Sequence, residues 1–192
     1  MKRHLSVLVG IFALISPLGF TQTSTWVPDK AHSEDTFSVL HLSLANVRGR
    51  FGNIGGSIVW NETDITKSTV NVTIDVTTVD TGVEPRDADL KSPNFFDVAQ
   101  FPTATFVSNS IAKSAGGLTI TGDLTVHGVT KPVVLKVEGP TGPVPGMDHK
   151  PHSGFSATTT ISRSAFNIAP KYPGAVVGDE IKLAIDLDIA KQ

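Results

Sequence analysis

The chain has no cysteine, one tyrosine and few charges: 18% of its 192 residues are Asp, Glu, Lys or Arg, where about 25% is usual. Without thiols there are no disulfides, iron–sulfur clusters, thiolate zinc sites or cysteine nucleophiles. Neither sign of charge is in excess, with 16 Lys+Arg against 18 Asp+Glu and a pI near 6.3. That balance offers no basic footprint for a phosphate backbone and argues against nucleic acid as a partner. HEXXH, nucleophile-elbow, P-loop and dinucleotide fingerprints are missing too, and nothing calls for a cofactor. What is present is 40% hydrophobic residues, enough at this length for one domain to bury a core without staples.

The first 25 residues, MKRHLSVLVGIFALISPLGFTQTST, carry Lys2 and Arg3, then an apolar run from Leu5 to about Ile15, then Pro17 and small polar residues. This is the layout of a cleaved secretory signal peptide, and the apolar stretch is shorter than a membrane span requires. The expected cut lies between Gly19 and Thr25. The mature chain, 26–192, is then periplasmic or secreted, with no stable membrane insertion.

Most of what remains alternates with period 2. In STVNVTIDVTTV (68–79), Val70, Val72, Ile74 and Val76 alternate with polar residues, and near the C-terminus Ile181, Leu183, Ile185, Leu187 and Ile189 face one way. Similar runs occupy 36–44, 46–51, 55–61, 103–111, 117–127, 131–139 and 153–163, with turn residues between them. Such spacing predicts an all-β sandwich or barrel. The Pro/Gly-rich stretch from Gly139 to Pro151 reads as a loop. One segment breaks the alternation: EPRDADLKSPNFFDVA (84–99) reads as a short helical insertion divided by Pro93, a lid or plug over one end of the sheet.

Few residues suggest chemistry. His149 and His152 stand in a Pro/Gly stretch without a companion carboxylate motif, so no metal site is expected. His41 shares the face of Phe37 and Val39; it is either a core histidine bonded to a neighbouring strand or a ligand head-group contact. Arg86 and Arg163 could hold an anionic or carbonyl end of a ligand, or form structural ion pairs. Phe95, Phe96, Phe101 and Phe106 cluster around the insertion. They belong to a packed core, or they close the mouth of an eight-stranded barrel wide enough for one ligand.

The order of motifs resembles the YceI-like family of lipocalin-fold proteins. It is carried by WVPDKAHSEDTFSVLH (Trp26 to His41), VRGRFGNIGGSI (Val47 to Ile58), RDADLKSPNFFDVAQFPTATF (Arg86 to Phe106), ITGDLTVHGVTKPVVL (Ile120 to Leu135) and SATTTISRSAFNI (Ser156 to Ile168). The resemblance implies an eight-stranded antiparallel β-barrel that holds a long apolar molecule, a polyprenyl lipid or isoprenoid quinone, without catalysis. It places Phe37, Val39 and His41 on the first interior strand and Phe51 on the next. Phe95, Phe96 and Phe101 would line or cap the pocket, joined by Phe106, with Arg86 and Arg163 as polar contacts. Two other readings stay open: a barrel enzyme acting on a lipophilic substrate through His41 and Arg163, and a packed interaction module. Exposed strand edges leave room for a homodimer.

Overall fold

A computed structural model describes residues 22–192; most of the expected leader lies outside them. Ten hydrogen-bonded segments form one antiparallel sheet. They are β1 (Thr23–Pro28), β2 (Glu34–His41), β3 (Ala45–Phe51), β4 (Gly55–Asn61), β5 (Thr69–Asp75), β6 (Thr103–Ser114), β7 (Gly117–Val126), β8 (Val129–Pro145), β9 (Pro151–Ser162) and β10 (Val177–Lys191). The order β1-β4-β5-β6-β7-β8-β9-β10 closes on itself through pairing of β1 with β10.

The barrel has eight strands because two of them are broken. One edge of β10 pairs with β2 from Val177 to Asp186 and with β1 from Ile189 to Lys191. β1 and β2 are thus halves of one strand, interrupted at 29–33. The interruption stays fastened to β10: Asp29 N–H donates to Asp188 O at 2.8 Å, and Ser33 Oγ donates to the same carbonyl at 3.0 Å. β3 and β4 form the second broken strand, pairing with β2 and β1 respectively. Their break contains Asn53 in the left-handed region, φ 54°, which Asn tolerates better than most side chains.

Two expectations from periodicity change here. The run 68–79 is not one strand; β5 stops at Asp75, whose Oδ1 accepts from Thr77 N–H at 3.1 Å and caps a 3-10 turn over Val76–Thr78. A short acidic side chain that offers the backbone a local partner ends the ladder there. Of the stretch from Gly139 to Pro151, only 146–150 form a loop. β8 runs on to Pro145 and pairs Thr141 with Gly154 and Val144 with His152, the register shifting between Glu138 and Thr141 and again between Thr141 and Val144. Pro140 and Pro143 fall in these irregularities, where no ladder donor is required.

The insertion contains a helix, α1 (Glu84–Lys91), with Pro85 in its first turn, where its missing N–H costs nothing. It ends at Ser92, ahead of Pro93, which disfavours helical backbone in the residue before it. The insertion follows β5 and precedes β6, so it covers the end of the barrel where β10 begins. At the opposite end, fully buried Ile189 packs with Trp26 and Ile58, and Trp60, Phe155 and Leu187 surround them.

Large rings inside the wall need small neighbours. A Cβ on Gly122 would lie 2.5 Å from Phe106 Cζ and 2.5 Å from Val107 O. We expect Gly122→Val to destabilise the fold by about 1–3 kcal/mol through overpacking. The check is a lower urea midpoint with an unchanged m-value.

Candidate functional site

The barrel encloses a cavity. The centre of a water-sized sphere can move through about 200 Å³ of it, and the space free of atoms, mouth included, is about 1600 Å³. A 150 Å³ apolar cavity already admits benzene. Strand parity builds the wall: Val70, Val72 and Ile74 come from β5, Val133, Leu135 and Val137 from β8, and Ile181, Leu183, Ile185 and Leu187 from β10. Only Asp35, Thr159 and Arg163 among the lining residues carry polar side chains, and Thr159 Oγ1 is satisfied by Val134 O at 2.9 Å.

Of the residues named from the sequence, Phe37, Val39, Phe51, Phe95, Phe96, Phe106 and Arg163 line this cavity. Phe51 stands 5.4 Å from Phe37 and 5.6 Å from Phe96, ring centre to ring centre, and Phe95 stacks on Tyr172 at 5.2 Å. The insertion is therefore held by aromatic contacts to β3 on one side and to the segment before β10 on the other.

His41, Arg86 and Phe101 lie outside the cavity. His41 has the inward parity of Phe37 and Val39, but β2 carries it past the wall to an exposed position opposite Val177 and Ala45. Arg86 ties α1 to the preceding turn, donating from Nε to Thr81 Oγ1 at 2.8 Å and from Nη2 to Thr81 O at 3.0 Å. Phe101 packs edge-on against His127 at 4.8 Å and sits over Gly128.

Arg163 is 4% exposed, and its guanidinium serves the fold. It donates to Ile168 O at 2.7 Å, Tyr172 O at 3.0 Å and Val177 O at 3.1 Å, and also to Ala169 O and Gly178 O. These bonds clasp the segment between β9 and β10. They replace both the expected ligand contact and the ion-pair alternative, since carbonyl oxygens alone occupy the donor fork. Arg163→Met should cost about 3–5 kcal/mol, because several buried carbonyls lose their donor at once. Hydrogen exchange should then accelerate across 164–178 before it does in the β6–β7 ladder.

Asp35 was not singled out by its sequence context, although it shares the parity of Phe37 and Val39. It is 4% exposed, and its Oδ1 has no hydrogen-bond partner. Burial alone pushes its carboxyl up from 3.8 to about 7. The folded protein then binds more protons than the unfolded chain between these values, so this group's contribution to stability is complete near pH 4 and lost as pH rises to 7. At most about 4 kcal/mol is involved. Urea unfolding should show Asp35→Asn gaining on the unmodified protein progressively from roughly pH 4 to 7, with a constant advantage above that range.

A second polar cluster lies outside the wall. His152 is the second residue of β9 instead of lying in a loop, and two carboxylates flank it, Asp148 from the preceding turn and Asp188 from β10, contrary to the sequence reading. Nδ1 is 2.6 Å from Asp188 and Nε2 is 3.1 Å from Asp148. The hydrogen bond to Asp188 raises the imidazole above its usual 6.5; burial opposes this, and Asp148 adds to it. Asp29, His152 and Asp188 bring one ligand atom each within 4.8 Å of one another, but both ring nitrogens are already engaged by carboxylates.

The YceI-like domain model matches residues 26–189. This chain belongs to the YceI-like family. Protein YceI of Salmonella newport is 36% identical to it, with 100% of both chains covered. A UPF0312 protein of Vibrio parahaemolyticus is 35% identical, covering 88% of this chain and 89% of its own length. Among solved structures, the Campylobacter jejuni YceI protein superposes with a TM-score of 0.69 at 26% identity, over 97% of this chain and 99% of that one. A polyisoprenoid-binding domain from Saccharophagus degradans superposes with a TM-score of 0.62, over 89% of this chain and 100% of that one. At 13% identity it shows the shared fold alone. The closed eight-stranded antiparallel barrel with one short helix is the fold of this YceI-like chain. No helix among the described residues is long and apolar enough to cross a membrane.

Proposed function

We propose that the protein binds and carries a long apolar lipid of isoprenoid type, a polyprenyl chain or an isoprenoid quinone, inside the barrel and outside the cytoplasm. The observation that carries this reading is the cavity wall, which is aliphatic and aromatic apart from Asp35, Thr159 and Arg163, the last two of them bonded to backbone carbonyls. Affinity from such a wall scales with ligand length. At about 0.8 kcal/mol per buried carbon, one five-carbon unit contributes about 4 kcal/mol. About one to four units are then needed to offset the roughly 4–15 kcal/mol lost on association. The chemistry of the wall therefore selects for several isoprene units over a single one.

A non-catalytic role fits the same geometry. His41 and Arg163, the pair an enzyme reading would use, are respectively exposed beyond the wall and saturated by backbone carbonyls. A packed interaction module would instead have a filled interior. The leader reading fits export, and a cut ahead of Thr23 would preserve the β1–β4 ladder, which begins at Thr23 opposite Asn61.

Native mass spectrometry of the full chain purified from a bacterial membrane-containing extract should show an added mass that organic solvent removes and that fragments as an isoprenoid. Repeated preparations without it, together with no shift in melting temperature on adding prenols or quinones, would overturn the proposal.

A further inference from the structure

We propose that the Asp35 carboxyl group is the polar anchor of the cavity, hydrogen bonding a neutral hydroxyl or carbonyl oxygen on an otherwise apolar lipid. The inference rests on the lipid-carrier reading and adds the chemical class of the head group.

Asp35 stands opposite Ile185, midway along β10, and opposite Phe51 on β3. It is therefore deep in the barrel. Its Oδ1 is buried without a partner, whereas the other ionisable group of the wall, Arg163, is fully occupied by carbonyls. No cation faces it from the elements packed around it. Glu34, Arg48, Arg50, Lys182 and Asp186 occupy the opposite parity of β2, β3 and β10, and Arg50 pairs with Glu34 and Asp80 on the outer face. A buried polar atom without a partner is costly, and the cost is relieved only by a group that brings one.

The partner that fits is neutral. Burial holds the carboxyl protonated up to about 7, so near neutrality it offers an O–H to a carbonyl and an oxygen to a hydroxyl. A phosphate or diphosphate at the same depth would place a second acidic group in an apolar space with no cation available to pair with it. A hydrocarbon would leave Oδ1 without a partner.

The test is competition for the cavity by three C20 ligands on one isoprenoid skeleton: geranylgeraniol, its hydrocarbon, and geranylgeranyl diphosphate. The full chain, Asp35→Asn and Asp35→Leu are compared after lipid extraction, each checked for native circular dichroism. The unmodified protein should prefer the alcohol over the hydrocarbon by about 5- to 10-fold. Asp35→Asn should keep most of that preference. Asp35→Leu should lose it while binding the hydrocarbon equally well or better, a gain that a misfolded variant would not show. Equal binding of alcohol and hydrocarbon by the unmodified protein, or a preference that survives Asp35→Leu, overturns the anchor and leaves the carrier reading standing. A diphosphate that binds more tightly than the alcohol overturns the neutral head group. Failure of all three ligands to bind overturns the carrier reading, and the anchor with it.

Discussion

Everything in this fold depends on the backbone ladder that returns from β10 to β1 and β2. β10 is the one strand that must satisfy two partners along a single edge, β2 over its first part and β1 at its end. Closing the sheet removes the exposed edges that an open sheet would leave and fixes which residues point inward. With no cysteine in the chain, nothing covalent helps. Backbone pairing and the apolar clusters at the two ends hold the barrel shut. Eight strands give an interior at the border between filled and hollow. Here the wall positions are largely Val, Ile, Leu and Ala, with Phe37, Phe51, Phe106 and Phe155 among them, and space is left between them.

The two ionisable groups on that wall illustrate how a low-dielectric interior treats different chemistries. An arginine remains charged whatever its surroundings, so it must be surrounded by acceptors, and Arg163 has five backbone carbonyls. An aspartic acid can take up a proton instead. Asp35 therefore remains without a counterion where Arg163 could not remain without its carbonyls. One group closes a loop and has no capacity left; the other keeps an open position facing the cavity.

Strand parity was legible in the sequence, and the height of a residue along the barrel was not. Val70, Val72, Ile74 and the alternating apolar residues of β10 face the interior as the period-2 pattern predicts. His41 has that same parity, yet the strand has left the wall by the time it is reached, and no alternation rule encodes the position of the rim. The break at 52–54 reads as a turn between separate strands, because only the partner strands show that the direction continues, and β1 ahead of the break at 29–33 has no period-2 run to announce it. Asp35 was hidden for a different reason: next to Glu34 it looks like one of a pair of solvated acids, although it sits two residues from Phe37 on the buried face. Beside His152, Asp148 stands four residues earlier in the chain, whereas Asp188 is brought in by pairing of β9 with β10 and has no local signature.

The barrel is closed less firmly at the insertion than at the opposite end. At the Trp26 end, the plug consists of residues on the paired strands themselves, so opening it would mean unzipping the ladder. At the other end the cover belongs to the insertion, and α1 has no buried residue of its own. Its attachment is through Leu90, Phe95 and Phe96 packing onto the core, with Phe96 against Phe51 and Phe95 against Tyr172. Tyr172 in turn depends on the segment that Arg163 clasps. Contacts between side chains can separate without breaking backbone pairing, and elements held in that way occupy the low end of a protein's local stability. Opening the barrel at this end costs a few aromatic contacts, with the β-strands left paired throughout.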